Sequence, residues 1–139
     1  MISELYWKKK IIVCGSIGYG GIDTIKEIRD FLRRNNFNII DHISKEDMDY
    51  SNVEDFRDDK SLSEKIVQHD LEYIDQADII VVITERPSFG TAIEQYYAYS
   101  KKKVVVLFSE KPVPTPWPIH FSTYIAKSKE ELLEILTKL

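Results

Sequence analysis

The chain has one cysteine, Cys14, in 139 residues. A single thiol excludes an intramolecular disulfide framework and agrees with a reducing compartment. Its place at the end of an apolar stretch makes it a buried core group before a catalytic one. No apolar run approaches the 18 residues of a membrane span, and no signal-peptide pattern opens the chain, so a cytoplasmic protein without a membrane partner is expected. Positive charge is in deficit, with 19 Lys and Arg against 23 Asp and Glu and a net charge of −4. That balance excludes nucleic-acid binding by wholesale phosphate neutralisation. The runs Lys8–Lys10 and Lys101–Lys103 each precede a strand pattern and read as solvated junctions. Metal-ligand spacing is also lacking: His42, His69 and His120 lie far apart with no H-x-x-x-H pattern, so no metal is expected. What is present suffices for one core, since 43% of the residues are hydrophobic, and one domain spanning 1–139 is expected.

Strand and helix patterns alternate. Apolar runs predict strands over Lys10–Cys14, Asn38–Asp41, Ile79–Ile83 and Val104–Phe108, with a short one near Ser122–Ile125. Helical spacing of Ile22, Ile25, Ile28, Phe31 and Leu32 predicts a helix over Ile22–Arg34. Further helices are expected from about Ser61, over Thr91–Ser100 and over Lys129–Leu139. The acid-rich stretch Asp47–Lys60 reads as a solvated connection. Such alternation argues for a parallel sheet with helical crossovers.

The richest segment is Ile79–Glu94. Five apolar residues, all of them β-branched, form a strand suited to burial on both faces. Arg86-Pro-Ser breaks it, Ser88-Phe-Gly90 reads as a turn, and a helix carries Glu94 early in its course. Ligands of open α/β sheets sit at the carboxyl ends of strands, which places Glu94 near any chemistry. The plainer reading is an acid favoured near a helix N-terminus. A second carboxylate, Asp70, precedes the same strand, on a helix whose apolar face reads Ile66, Leu71 and Ile74. Asp70 falls at the edge of that face, where a solvated acid is the simpler expectation. Its neighbour His69 is expected to point about 100° away around the helix.

The glycine-rich run Cys14-Gly15-Ser16-Ile17-Gly18-Tyr19-Gly20-Gly21 follows the first strand. Glycines let backbone N–H groups approach a phosphate, and the next helix offers its positive end to an anion. It is not a Walker A loop, and it lacks the G-x-G-x-x-G spacing of a dinucleotide fingerprint. A purely structural turn is the competing reading. Tyr96 and Tyr99 share one helix face, while Tyr97 lies with Glu94.

Three blocks together give a family resemblance: Ile11–Ile17 with Gly18, Gly20 and Gly21; His69–Asp78; and Pro87–Glu94 followed by Tyr97-Ala98. In order and spacing they resemble the nucleoside 2-deoxyribosyltransferase-like superfamily, most closely its 2'-deoxynucleoside 5'-phosphate N-hydrolase branch. The resemblance implies an α/β, Rossmann-like (flavodoxin-like) three-layer sandwich, with about five mainly parallel strands and helices on both faces. It further implies that Glu94 attacks C1' of a sugar and that Asp70 assists at the base or orients Glu94. Cys14, Gly15, Ser16, Ile17, Gly18, Gly20, Gly21, Ser88, Gly90 and Tyr97 would line sugar and phosphate. Such chemistry needs no cofactor. The implied partners are a small nucleotide substrate and a second copy of the chain in a homodimer, with Thr115 and Ser122 as candidate contacts to the neighbour's phosphate.

Two departures bear on substrate. The first-strand aromatic hydroxyl common in the family is replaced by Ile12, for which Tyr19 or Tyr97 are the candidate substitutes. An arginine common after Gly-Ser-Ile is replaced by Gly18. The sequence therefore supports hydrolysis of (2'-deoxy)nucleoside 5'-monophosphates, with two alternatives: a 2-deoxyribosyltransferase acting on unphosphorylated nucleosides, and a non-catalytic nucleotide sensor. Retention of Glu94 and Asp70 counts against the sensor.

Overall fold

A computed structural model describes residues 9–18, 21–43 and 49–139. Five strands, β1 (Lys10–Cys14), β2 (Asn38–Ile39), β3 (Ile79–Ile83), β4 (Val104–Phe108) and β5 (Tyr124–Ala126), form one sheet in the order β2-β1-β3-β4-β5. Every pairing is parallel. The helices are α1 (Gly21–Arg34), α2 (Lys60–Gln76), α3 (Phe89–Ser100), α4 (Trp117–His120) and α5 (Lys129–Thr137). This strand order is the flavodoxin-like doubly wound arrangement, whose order reverses between β1 and β3.

Strand alternation distributes the core to two faces. Ile11, Val13, Ile79, Val81, Ile83, Val106 and Phe108 pack with Ile22, Ile25, Ile28 and Leu32 of α1 and with Leu132 and Leu136 of α5. Ile12, Cys14, Ile80, Val82, Val105 and Leu107 face Ile74 of α2 and Ala98 of α3. All five β3 side chains are buried, as the unbroken apolar run requires of a central strand. Burying each large aliphatic side chain is worth about 1.5–3 kcal/mol.

Element ends follow local chemistry. Asp59 caps α2 by accepting from the Leu62 N–H at 3.1 Å, and Ser88 caps α3 by accepting from the Thr91 N–H at 3.3 Å. Asn36, at φ 69°, takes the left-handed turn after α1, a conformation asparagine tolerates. β2 stops at Ile39, short of the expected Asp41. The Asp41 carboxylate instead bridges the buried Arg29 at 3.0 Å and accepts from the Ile43 N–H at 3.1 Å, turning the chain there. Helix α4 was not foreseen in the proline-rich loop. Buried Gln95 holds it to α3, donating to the Pro118 and Phe121 carbonyls at 2.9 Å each.

Candidate active site

Helices α2 and α3 lie side by side over one face of the sheet. Between their upper halves is a crevice of about 250 Å³. Phe56, Ile66, Val67, Leu71 and Ile93 give it apolar walls, and Tyr50, Ser63, Asp70, Gly90 and Glu94 complete the lining. Both sequence-nominated carboxylates thus open into one cavity, at the carboxyl end of β1 and β3.

Asp70 arrives there because the buried stripe of α2 is Ile66, Asp70 and Ile74, a four-residue spacing. Leu71, taken from sequence as part of the apolar face, is only half-buried. The solvated reading of Asp70 is therefore overturned, since Asp70 is 9% exposed. His69 also departs from expectation. Rather than pointing away, its Nδ1 lies 3.1 Å from Asp70 Oδ1, with its ring edge-on to Tyr73 at 4.6 Å. Neighbouring helical side chains meet here because both bend toward the same packed surface.

The electrostatics follow from burial. Glu94 is pushed up to about 8 by desolvation first and by the charge of Asp70 second. Asp70 is raised by burial against the opposing pull of His69. Two carboxyls in one low-dielectric crevice resist double ionisation and titrate as a pair. Tyr50 is raised to about 12 by burial, Glu94 and Asp70, which keeps its hydroxyl protonated as a donor. That hydroxyl would lie 3.7 Å from a Cβ added at Gly90, so it stands at the crevice mouth opposite α3. Tyr50 went unforeseen because it falls in the acid-rich connection, where no pattern marks it. Phe56 lies edge-on to its ring, with centroids 5.6 Å apart.

Beneath the crevice, Cys14 and His42 are buried at the ends of the β1 and β2 segments. The Cys14 thiol is pushed well up by burial, then by Glu94 and Asp70. Burial, with Arg29 adding to it, lowers His42 to about 4, leaving a neutral imidazole. The Cys14, His42 and Glu94 donor atoms lie within 4.8 Å of one another. Sequence spacing had put no such group together.

The remaining nominated residues divide. Gly15, Ser16 and Gly21 line a second, smaller hollow of about 120 Å³ with Thr24, Ile83, Glu85 and Arg86. Only glycine fits at position 21, where a Cβ would fall 2.0 Å from the Ser16 carbonyl oxygen. Gly18 faces open space, Gly20 and Tyr19 lie outside the described residues, and Ser88 stands at the N-terminus of α3 beside Gly90. Cys14 and Ile17 are 0% and 5% exposed, so their side chains pack in the core. Three expectations are corrected. Gly90 is not a turn residue but sits in the first turn of α3, which begins at Phe89. Tyr97 turns away from the crevice, donating to Asp75 Oδ1 at 2.8 Å under the Lys101 ammonium. Ser122, offered as a contact to a neighbour's phosphate, is engaged internally, donating to the Pro118 carbonyl at 2.6 Å and accepting from Gln95.

A doubly wound parallel sheet with paired carboxylates above its switch point defines an α/β protein built to act on a small ligand in a crevice. A sequence profile of the family described as nucleoside 2-deoxyribosyltransferase matches residues 14–132, and the chain belongs to that family. Its fold is similar to that of the 2-deoxyribosyltransferase from the psychrotolerant bacterium Bacillus psychrosaccharolyticus, with a TM-score of 0.69, 18% identity, and coverage of 88% of this chain and 89% of that one. It is also similar to the Clostridium botulinum CMP N-glycosidase BcmB, with a TM-score of 0.53, 15% identity, and coverage of 92% and 97%. No curated protein sequence matches it. Among the described residues, no helix is long and apolar enough to cross a membrane.

Proposed function

We propose that the chain hydrolyses the N-glycosidic bond of (2'-deoxy)nucleoside 5'-monophosphates, releasing free base and a sugar 5-phosphate. The observation that carries this reading is the meeting of Glu94 and Asp70 in one apolar-walled crevice. Breaking an N-glycosidic bond develops positive charge at C1', and an ionised carboxylate placed against it stabilises that state. Glu94 attacks C1', the C1'–N bond breaks, and the base leaves with a proton supplied from the Asp70 side. Water then hydrolyses the glycosyl ester and restores Glu94. Apolar walls suit a flat base and exclude competing water. Ser88 and the α3 N-terminus supply N–H and hydroxyl donors for the 5'-phosphate.

Burial raises both carboxyls, Glu94 to about 8, so the two titrate as a pair; Glu94 becomes the nucleophile once its proton has passed to the Asp70 side, which then delivers it to the departing base. Tyr50, with its protonated hydroxyl at the crevice mouth, stands in for the hydroxyl that Ile12 lacks. A homodimer fits the exposed apolar strip of Phe89, Ile93 and Tyr96 on α3 with nearby Trp117.

Gly18, which has no side chain to offer a phosphate, favours a second reading. In it, the same first half-reaction occurs on unphosphorylated nucleosides and a second base resolves the intermediate. Incubation with a panel of nucleosides and nucleotides, with free base followed by chromatography, separates the two. Faster release from monophosphates supports the hydrolase. Equal rates on nucleosides, accelerated by added free base, establish the transferase instead.

A further inference from the structure

We propose that Cys14, His42 and Glu94 form a binding site for a thiophilic divalent cation, Zn²⁺ by its donor set, and that occupation of this site arrests the crevice by holding Glu94. The inhibitory half rests on the glycosidase reading above; the binding half does not.

The three residues come from three separate elements: the end of β1, the turn after β2, and α3. Their sulfur, nitrogen and oxygen donors lie within 4.8 Å of one another. Tetrahedral zinc with thiolate, imidazole and carboxylate ligands sets donors about 3.4–3.6 Å apart, from bond lengths of about 2.0–2.3 Å. Closure onto an ion therefore takes side-chain shifts of about an ångström, with a fourth position left to water. A mixed S, N, O set selects zinc or its mimics over magnesium or calcium, which take oxygen.

A second observation points the same way. His42 is 3% exposed, and its Nδ1 is buried without a hydrogen-bond partner among the described residues. An orphaned imidazole nitrogen in a core is costly, and here the ring stands against a thiol and a carboxyl. Its backbone is fixed by the Asp41 turn, which Arg29 anchors from α1. Asp70 adds further negative charge beside the site, which a divalent cation offsets. The crevice that exposes Glu94 provides the way in. On binding, the Cys14 S–H proton and the proton carried by the Glu94 carboxyl leave to solvent, the thiolate and the Glu94 carboxylate donate to the ion, and no group changes oxidation state. Glu94 oxygen lone pairs held by the ion are withdrawn from C1'.

The test uses the full chain and Co²⁺ as probe, followed by Zn²⁺ displacement. The site predicts one Co²⁺ per chain, a near-ultraviolet thiolate-to-cobalt absorption band, and visible bands of tetrahedral intensity. Zn²⁺ should abolish them stoichiometrically. Cys14→Ser should lose the near-ultraviolet band, and His42→Gln and Glu94→Gln should each weaken binding at least about tenfold, with far-ultraviolet circular dichroism unchanged. No thiolate band in the wild-type chain, or equal Zn²⁺ affinity in the wild type and in the Glu94→Gln variant, overturns the site. Where monophosphate cleavage is observed, Zn²⁺ should suppress it and a chelator restore it; cleavage indifferent to saturating Zn²⁺ overturns the inhibitory half. A chain that binds Co²⁺ through its thiolate yet cleaves nothing when freed of metal refutes the glycosidase reading and leaves the metal site standing.

Discussion

The sheet's carboxyl edge carries two hollows of contrasting chemistry. On the α2–α3 side the crevice is about 250 Å³, walled by apolar side chains, with two carboxyls inside it. On the α1 side the hollow is about 120 Å³ and lined by Ser16, Thr24, Glu85 and Arg86. Both contain an acid, but Glu85 is exposed while Asp70 and Glu94 are drawn into the packed surface. Desolvation is what turns a carboxylate into an acid–base group, so acid content alone does not mark the reactive side. The sugar and phosphate lining that the family resemblance implies splits between the two. Its Gly15, Ser16 and Gly21 face the α1 hollow, whereas Ser88 and Gly90 belong to the crevice side.

The largest effect should come from Glu94. Glu94→Gln keeps shape and burial but removes the nucleophile, and turnover on the preferred substrate should fall by at least about a thousandfold. Retained activity within tenfold of wild type ends the assignment and makes the crevice no more reactive than the polar hollow.

The same variant tests desolvation by stability. A carboxyl whose folded pKa is raised to about 8 binds a proton in the folded state that the unfolded chain releases near its ordinary value. Wild-type stability should therefore decline as pH rises from the ordinary glutamate range toward 8 and level off above it. Glu94→Gln lacks this loss. Its stability advantage in denaturant titrations should grow over that window to on the order of a few kcal/mol. An advantage that does not vary with pH would falsify the desolvated carboxyl.

Which hollow takes the phosphate is decided by two serines. Ser88→Ala should narrow the preference for monophosphate over nucleoside by about ten- to a hundredfold, the worth of a hydrogen bond to a charged group. Ser16→Ala should narrow it less, because Ser16 lines the other hollow. The reverse ranking transfers the phosphate to the α1 side.

The smallest effect concerns Tyr50. Tyr50→Phe keeps the ring against Phe56 and removes one neutral donor, so kcat/KM should drop about two- to tenfold. The alkaline limb of the pH profile should move as well, since the hydroxyl no longer supports the carboxylate pair. An unchanged profile confines Tyr50 to packing.

Most of the architecture was legible along the chain. β1, β3 and β4 have the predicted limits because unbroken apolar runs leave a central strand no other place. α1 declared itself through Ile22, Ile25, Ile28 and Leu32, all buried as the helical period requires. Failures occurred where polar chemistry overrode pattern. β2 ends early because Asp41 prefers Arg29, and α4 is set by Gln95 rather than by any period of its own. Tyr97 shares a helix with Glu94, yet its long side chain finds Asp75 instead.

Sequence by itself determined the alternating layers, the family and the nomination of Glu94 and Asp70, because periodicity and motif order are properties of neighbours along the chain. Only the tertiary structure decided that Asp70 is buried, that His69 is its partner, that Tyr50 stands at the crevice mouth, and that Cys14, His42 and Glu94 meet. Whether a polar residue is desolvated depends on what distant segments lay over it, and that packing is written in no local pattern.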